Sequence, residues 1–384
     1  MGSLGSYYTE QYVHGNREVI AALTTEEANL LYARQLARQY GWWPRVISTM
    51  QGLRSLYDHT GRRGEWQRLV EEIVPDFVDP ATDGPLTGRE EHWRPVTEYR
   101  VMLAHQARQW AEVEHLQHLC VEWDRQRAAS ALAISADALD NSQRHTIRTL
   151  AVSLHQLGQM QRELGQPECV TAYQESLNLA EQIGEQTGAA ICAFNLGHAY
   201  KDIPTLRDLT KTERWYRRSM ELCEEHDQLW RGKCFIALGN VARERFREAF
   251  TTNQPKTDLL RHLNDAIGFY LQALDLLPAN AVDDLAVSHN QIGNTYGDAA
   301  DIDRALTHWR EAIRYAEASD NFYDAGRHRY NVALALRQAG RFSDAAEYAR
   351  AALRNFETYG DRAAADVQET RDLIAKIEQA ISGS

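Results

Sequence analysis

Residues 283–319 read DDLAVSHNQIGNTYGDAADIDRALTHWREAIRYAEAS, and their pattern predicts the fold of the chain. Apolar and small residues recur at steps of three and four, which places them on one face of each of two helices. The turn GDAAD joins these helices into a hairpin. Gly293 and Ala305 are predicted to lie where the two backbones come closest, since a larger side chain would hold the helices apart. Tyr296 and Trp309 are expected to fill the space between this hairpin and its neighbours.

The small residue of this hairpin returns along the chain with an apolar residue before it. The pairs are Leu157-Gly158, Leu196-Gly197, Leu238-Gly239, Ile292-Gly293 and Val332-Ala333. Their second members stand 39, 42, 54 and 40 residues apart. A fixed small residue at intervals of about 40 indicates a repeat array, in which each hairpin packs on the next. Such an array offers a long surface and no single cleft, which favours binding over catalysis.

The repeat resembles the tetratricopeptide repeat, whose pattern has an aromatic residue, Leu-Gly, Tyr, Ala, a second aromatic residue and a closing Pro. The unit around Gly239 supplies these positions as Phe235, Leu238, Gly239, Ala266, Tyr270, Ala273, Leu274 and Pro278. The resemblance implies an all-α fold: a right-handed α-solenoid (superhelix) of about seven antiparallel helix hairpins with a C-terminal capping helix over residues 363–381. An insertion at residues 246–261 is expected to lengthen both helices of its unit or to project a loop.

Four segments are predicted along the chain. They are a tag remnant and N-terminal lead-in (1–23), degenerate tryptophan-rich helical repeats (24–142), the clear tetratricopeptide array (143–360), and the capping helix with the tail (361–384). Within the degenerate segment we expect hairpins over residues 44–74 and 97–123. The Pro- and Gly-rich stretch between them, residues 75–91, is predicted to be a loop. The Gly-Ser composition of both ends is typical of a piece excised from a longer protein.

Composition argues against several classes of function. A net charge of −12 and the lack of a basic run argue against nucleic-acid binding. No apolar run reaches the ~20 residues that a membrane span needs, and no secretory signal is recognisable. The five cysteines are odd in number and form no CxxC pair. We therefore expect reduced, buried thiols within helices and a cytoplasmic protein.

A strip of amide, imidazole and cationic side chains is the candidate binding site. In tetratricopeptide arrays the first helix of each hairpin lines the concave groove, and the resemblance places the residues that flank the Leu-Gly pair in that groove. The amides and histidines at these positions are His155, Gln159, Asn195, His198, Asn240, Asn290, Asn294 and Asn331. The cations about one turn away are Lys201, Lys233, Arg243, Arg327 and Arg337.

The chemistry of this strip suits a peptide. An amide side chain donates and accepts hydrogen bonds together, so a ladder of Asn can hold an extended backbone of any sequence. The interspersed cations favour acidic side chains or a terminal carboxylate. Asn is a poor helix former, so its repetition at matched positions is not explained by exposure alone. The alternative is that these residues are solvated polar positions on an unused groove.

Other candidate sites are weaker. Six of the nine tryptophans precede residue 124, where they either pack between degenerate repeats or form an exposed patch for a partner domain. His115 and His118 share a helical face and Cys120 follows two residues later, but no second ligand group with metal-site spacing accompanies them. No nucleotide-binding, hydrolase or zinc-protease motif is present. We therefore expect no enzyme, no metal and no cofactor.

A second resemblance concerns residues 7–74. Their stretches EEANLL (26–31) and HTGRRGEW (59–66) resemble the region that follows the nucleotide-binding domains of bacterial signal-transduction ATPases of the STAND class. Those proteins carry a C-terminal tetratricopeptide array that acts as a sensor. The resemblance implies a fused or associated ATPase that this chain does not include.

The predicted function is recognition of an extended protein segment or peptide in the concave groove, as a sensor module in signalling. One alternative is a receptor for a small signalling peptide. Another is a structural scaffold that uses its convex face and loops. An enzyme would require the insertions at residues 204–214 or 246–261 to fold over the groove and close a pocket.

Overall fold

The structure, a computed structural model, describes residues 2–13 and 18–382. The regular elements in these two ranges are all helices, and strand-like pairing there is limited to one isolated bridge between Val78 and Pro85. The all-α prediction is therefore confirmed. The chain divides into two compact units, residues 1–179 and 180–384, which we call the first and second units.

The first unit contains eight α-helices within its described residues. They are α1 (Gly2–Val13), α2 (Val19–Gln39), α3 (Trp43–Thr60), α4 (Arg63–Phe77), α5 (Glu90–Gln106), α6 (Trp110–Leu132), α7 (Asn141–Glu163) and α8 (Cys169–Gln182), whose last turn enters the second unit. The hairpin predicted over residues 97–123 is confirmed as α5 and α6, with its turn at Arg108. The helices predicted over residues 44–74 also form, but α3 packs more extensively against α1 and α2 than against α4.

The close approach of α1 to α3 depends on two glycines. A Cβ atom on Gly5 would lie 2.3 Å from the carbonyl oxygen of Ser48, and a Cβ atom on Gly52 would lie 2.9 Å from the Cα atom of Gly5. Only residues without a side chain allow two helix backbones to approach so closely. This contact explains why α3, rather than α4, is the helix on which α1 packs.

The early tryptophans serve mainly as core residues. Trp66 and Trp93 are each 1% exposed and belong to one apolar cluster with Met50, Leu53 and Phe77. This supports packing between degenerate repeats for these two residues. Trp42 differs, because it is 52% exposed and stacks on the equally exposed Tyr40, with ring centroids 5.3 Å apart.

The loop predicted over residues 75–91 is shorter than expected. Pro75 lies inside α4, which ends at Phe77, and α5 already begins at Glu90. A proline in the last turn removes one hydrogen bond and leaves the preceding turns intact, so the helix continues through it. The remaining loop is held by Asp83, whose carbonyl oxygen accepts a hydrogen bond of 2.8 Å from Trp93 Nε1.

The second unit is a run of helix hairpins. Its helices are α9 (Gln186–Asp202), α10 (Leu209–Leu222), α11 (Gln228–Thr251), α12 (Lys256–Leu276), α13 (Val282–Asp298), α14 (Ile302–Ala318), α15 (Phe322–Gln338), α16 (Phe342–Glu357) and α17 (Ala364–Ser382). Each odd-numbered helix from α9 to α15 packs against the helix that follows it. The insertion at residues 246–261 lengthens α11 and α12, which is one of the two outcomes expected from the sequence. Helix α17 packs against α15 and α16, which confirms the predicted C-terminal capping helix.

The recurring glycine leaves room for an aromatic ring on the second helix of its hairpin. A Cβ atom added to Gly293 would lie 2.5 Å from Cδ1 of Trp309, and one on Gly239 would lie 2.4 Å from Cε1 of Tyr270. Gly197 faces Tyr216 in the same way, and Gly158 in the first unit faces Tyr173. The prediction that Gly293 lies at a close approach of two backbones is thus corrected, because the ring of Trp309 fills that space.

Four of the five cysteines are buried within helices, as the sequence predicted. Cys120, Cys169, Cys192 and Cys234 are reduced thiols in buried helical positions. Cys223 is also reduced, but it is half-buried and follows the last residue of α10, so the expectation of a buried helical position is wrong for it. In the described part of the chain, no helix is both long and apolar enough to cross a membrane.

Candidate functional site

Three successive first helices of the second unit, α11, α13 and α15, line a cavity of about 680 Å³. Its floor includes the apolar side chains of Ile302, Trp309 and Leu334. The polar residues around it are Arg243, Arg247, Asn294, Asp298, Asn331 and Gln338. We call it the large cavity.

A smaller cavity of about 210 Å³ lies between α13 and α15 and reaches the end of α14. The polar residues that line it include Asp283, Asn290, Asn321, Asp324, His328 and Asn331. Asn331 lines both cavities, so the two are neighbours on one surface. We call this second space the small cavity.

The cations of the large cavity are held in place by one carboxylate. Arg243 Nε lies 2.8 Å from Asp298 Oδ2, and Arg247 Nε lies 3.5 Å from the same oxygen. Arg243 also donates a hydrogen bond of 3.1 Å from Nη1 to Gln291 Oε1. Two guanidinium groups therefore share the carboxylate of Asp298, and Arg247 Nη1 also lies 3.4 Å from Glu244 Oε1.

The small cavity contains two buried polar atoms that lack hydrogen-bond partners among the described residues. They are Oδ1 of Asn290 and Nδ1 of His328. His328 is 8% exposed, and burial lowers its pKa to about 4, so its imidazole is neutral near pH 7. A buried polar atom without a partner is uncommon in folded proteins, and a bound ligand is one way of satisfying it.

The acidic wall of the small cavity is fixed by local hydrogen bonds. Asn321 caps α15, accepting a bond of 3.1 Å from the backbone N–H of Asp324 and donating one of 2.8 Å to its carboxylate. Arg327 Nη1 lies 3.3 Å from Asp324 Oδ1 and is otherwise exposed. These contacts set the position of Asp324 before any ligand arrives.

Two of the predicted asparagines hold the aromatic rings that face the glycines. Tyr270 Oη donates a hydrogen bond of 2.8 Å to Asn240 Oδ1, and Trp309 Nε1 donates one of 3.0 Å to Asn294 Oδ1. The residue after the glycine therefore receives a hydrogen bond from the ring for which the glycine makes room. Asn294 still lines the large cavity, whereas Asn240 lines neither cavity.

The remaining predicted residues of the second unit lie outside both cavities. Asn195 donates from Nδ2 to the carbonyl of Ile191 in its own helix, at 3.2 Å. His198 Nδ1 lies 3.2 Å from Tyr216 Oη, again the residue after a ring-facing glycine. The cations in this group are Lys201, 3.2 Å from Asp202, Lys233, 3.7 Å from Asp284, and Arg337, whose buried Nε has no hydrogen-bond partner among the described residues.

The first unit holds the two other predicted residues. His155 packs against Tyr173, with ring centroids 5.6 Å apart, and burial lowers its pKa. Gln159 lines a cavity of about 350 Å³ together with Arg54, Glu98, His105 and Glu163. Gln159 donates a hydrogen bond of 3.4 Å to Glu163.

Sequence reasoning missed the residues that give the small cavity its character. Asp283, Asn321, Asp324 and His328 lie outside the positions that flank the small residue of each repeat. Asp283 is in the first turn of α13, and Asn321 and Asp324 form the start of α15. The capping pattern Asn-x-x-Asp was a readable signal for the start of a helix. Nothing in it indicated that this helix start would border a cavity.

His115 and Cys120, two residues of the metal candidate in the first unit, make ordinary structural contacts. His115 Nε2 lies 3.2 Å from Asp83 Oδ2, which ties α6 to the loop before α5. Cys120 is fully buried, and burial raises the pKa of its thiol to about 11. A thiol with so high a pKa is a poor source of the thiolate that metals bind.

No protein-family model and no curated protein matches this chain in sequence. Among solved structures, aspartyl phosphate phosphatase F from Bacillus subtilis is similar, with a TM-score of 0.50 and 12% identity over 99% of this chain and 94% of that one. A Rap protein complexed with competence and sporulation factor gives 0.48 and 9% over 99% and 100% of the two chains. The apo quorum sensor NprR from B. thuringiensis gives 0.45 and 8% over 97% of each. At 12% identity, the likeness to aspartyl phosphate phosphatase F concerns the fold alone. That fold is a helical repeat of the tetratricopeptide type.

Proposed function

We propose that the second unit binds an extended protein segment or peptide on the surface formed by α11, α13 and α15. The observation that carries this proposal is the pair of neighbouring cavities joined at Asn331. Packed helices lie ~8–10 Å apart, so three successive first helices span on the order of 20 Å, which about six extended residues cover. The surface therefore has the length of a short peptide segment.

The polar groups of this surface are suited to a peptide backbone. Asn290 offers an amide oxygen that has no hydrogen-bond partner in the described part of the chain, and Asn331 borders both cavities. Arg243 is fixed by Asp298 and Gln291, so little side-chain entropy remains to be lost when a ligand binds. A rigid, partly unsatisfied set of amides is the preorganised arrangement that backbone recognition requires.

The experiment is a selection of peptides on the immobilised full chain from a random twelve-residue display library. Selected peptides would then be synthesised and titrated by calorimetry into the wild type, Asn331→Ala and, as a matched control, the exposed Asn264→Ala of α12. We expect Asn331→Ala to weaken binding about tenfold, the value of one to two lost hydrogen bonds in a desolvated site. Equal affinity for the two variants would refute the proposed surface.

The same experiment tests a narrower version of this function and an alternative to it. A receptor for a small signalling peptide predicts that shortening the selected peptide to about six residues preserves its affinity, in keeping with the span of the surface. A scaffold that uses the convex face and loops predicts selected partners whose binding ignores Asn331. The length dependence and the Asn331→Ala variant thus separate these versions.

The sensor role extends the proposal. We infer from the resemblance of residues 7–74 to STAND-class ATPases that ligand binding by the second unit controls an ATPase fused to or associated with this chain. The stretches that carry the resemblance lie in α2 and at the junction of α3 and α4. Co-purification of the chain with an ATPase from the source cell, dependent on the selected peptide, tests this step.

A further inference from the structure

The two cavities that meet at Asn331 are lined by groups of opposite charge. The charged side chains that line the large cavity are Arg243, Arg247 and Asp298, and Arg247 Nη1 also lies 3.4 Å from Glu244 Oε1 on its own helix. The charged side chains that line the small cavity are the exposed Asp283, together with Asp324 and its ion-pair partner Arg327. A ligand that fills both cavities therefore meets two guanidinium groups at one end and two carboxylates at the other.

The small cavity also has unsatisfied acceptor capacity. Oδ1 of Asn290 can only accept a hydrogen bond, and it is buried without a partner among the described residues. His328 is more than nine-tenths buried, and its Nδ1 is likewise unpartnered there. A neutral imidazole supplies one acceptor nitrogen. The buried oxygen of Asn290 therefore needs a hydrogen-bond donor, and the neighbouring carboxylates favour a charged one.

The volume of the small cavity fits a side chain. About 210 Å³ is several times the ~30 Å³ that one water molecule occupies in the liquid. A few waters or one long side chain would fill it. A lone ordered water would satisfy Asn290, but it would add no cation beside the carboxylates of Asp283 and Asp324 beyond Arg327.

We propose that the small cavity binds the cationic side chain of a lysine or arginine in the bound segment, and that the large cavity binds an acidic group of the same segment. This inference rests on the proposed function and adds a polarity to it. Asn331 lies between the two sites, so the basic and acidic groups are one to three residues apart in an extended ligand. The bound segment thus runs with its basic residue at α13 and α15 and its acidic group towards α11.

The selected peptides provide the test. We expect them to be enriched in Lys or Arg at one position and in Asp or Glu, or a free C-terminus, close to it. Replacing the basic residue by Gln is expected to weaken binding to the wild-type chain about tenfold, as for loss of a charge-assisted hydrogen bond. Acetylating only the N-terminal amine of the peptide is expected to leave its affinity unchanged. This result distinguishes a bound side chain from a bound N-terminal amine.

A double-mutant cycle locates the cation. Asn290→Ala removes the unpartnered oxygen, and we expect it to weaken the Lys peptide about tenfold but the Gln peptide less than twofold. Glu347→Gln, an exposed position on α16, is the control for a general change in charge. Peptides that depend on Asn331 but show neither basic enrichment nor coupling to Asn290 would overturn this polarity and leave the proposed function standing. Peptides that are indifferent to Asn331 would overturn the proposed function itself, and the polarity with it.

Discussion

At the scale of single residues, the repeat combines a glycine, a ring and an acceptor. The glycine on the first helix makes room for an aromatic ring on the second, and the residue after the glycine receives a hydrogen bond from that ring. Gly239, Tyr270 and Asn240 form one such set, and Gly293, Trp309 and Asn294 form another. The side chain next to the glycine thus contributes to the hairpin itself as well as facing the surface.

Substituting a ring-facing glycine should destabilise the protein. Gly239→Ala would place a Cβ atom 2.4 Å from the Tyr270 ring. We expect overpacking to lower the free energy of unfolding by about 1–3 kcal/mol, which exceeds the gain in helix propensity. Urea denaturation followed by circular dichroism measures the change.

Gly268→Ala is the matched control, because no atom would lie within 4 Å of its added Cβ. It should stabilise α12 by ~0.5–1 kcal/mol through reduced backbone freedom of the unfolded chain. If both glycines respond alike, the proposed role of the ring contact is wrong.

The ring hydroxyl gives a second prediction at this scale. Tyr270→Phe removes the donor to Asn240, whose oxygen is then left without this bond. We expect a loss of about 1 kcal/mol in unfolding free energy. A cycle with Asn240→Ala should show coupling of the same size. Additive effects would mean that the Asn240 side chain does not interact with Tyr270 and only faces the groove, as the sequence alone predicted.

At the scale of elements, the capping helix closes the array through a few buried side chains. Leu373 and Ile377 of α17 pack with Val332, Leu336 and Ala349 of the last hairpin. Without this helix the apolar face of α15 and α16 would be exposed to water. The stability of the last hairpin therefore depends on α17.

Two isoleucines one turn apart on α17 test this dependence. Ile377 is fully buried, whereas Ile381 is 45% exposed. Ile377→Ala should cost about 2–5 kcal/mol of local stability, and Ile381→Ala much less. The rate of amide hydrogen exchange in α15–α17 measures this local stability directly. A global melting curve would not detect the local opening of a terminal helix. Equal acceleration in the two variants would contradict the docked cap.

The sequence predicted the elements best where the repeat is regular. Residues 283–319 predicted α13 and α14 almost to the residue, because apolar spacing and turn residues agree there. Pro75 was misread because a proline near a helix end costs little and looks like a loop signal. The packing of α3 against α1 depends on Gly5 and Gly52, whose contact no periodicity encodes.

At the scale of the whole molecule, buried neutral histidines link stability to pH. Burial lowers the pKa of His328 to about 4, below the ordinary value of 6.5, and His289 behaves likewise. The unfolded chain therefore binds these protons first as pH falls. Unfolding free energy should decline from about pH 6.5 towards pH 4, by at most about 1.4 kcal/mol per pH unit for His328.

A variant without the titrating group isolates this contribution. His328→Gln should flatten the fall of the urea midpoint between pH 6.5 and 4, whereas the exposed His226→Gln should not. Parallel curves for wild type and His328→Gln would show that His328 titrates normally. Carboxylates common to both proteins cancel in the comparison.

The candidate surface was predictable only in part. Asn290, Asn294, Arg243, Arg327 and Asn331 were recognised from their register, and they line the two cavities. His328 and Asp283 could not be recognised, because their importance arises from burial and from neighbouring helices. The sequence also could not show that Asn240 accepts a hydrogen bond from Tyr270 Oη.

The central claim is that α11, α13 and α15 form a peptide-binding surface. A selected peptide with benzoylphenylalanine at its middle position, cross-linked by light to the full chain and mapped by mass spectrometry, tests it most directly. The account predicts adducts on α11, α13 and α15 near Asn331, competed away by the unlabelled peptide. Competable adducts on α12 or α16, or in the first unit, would contradict it.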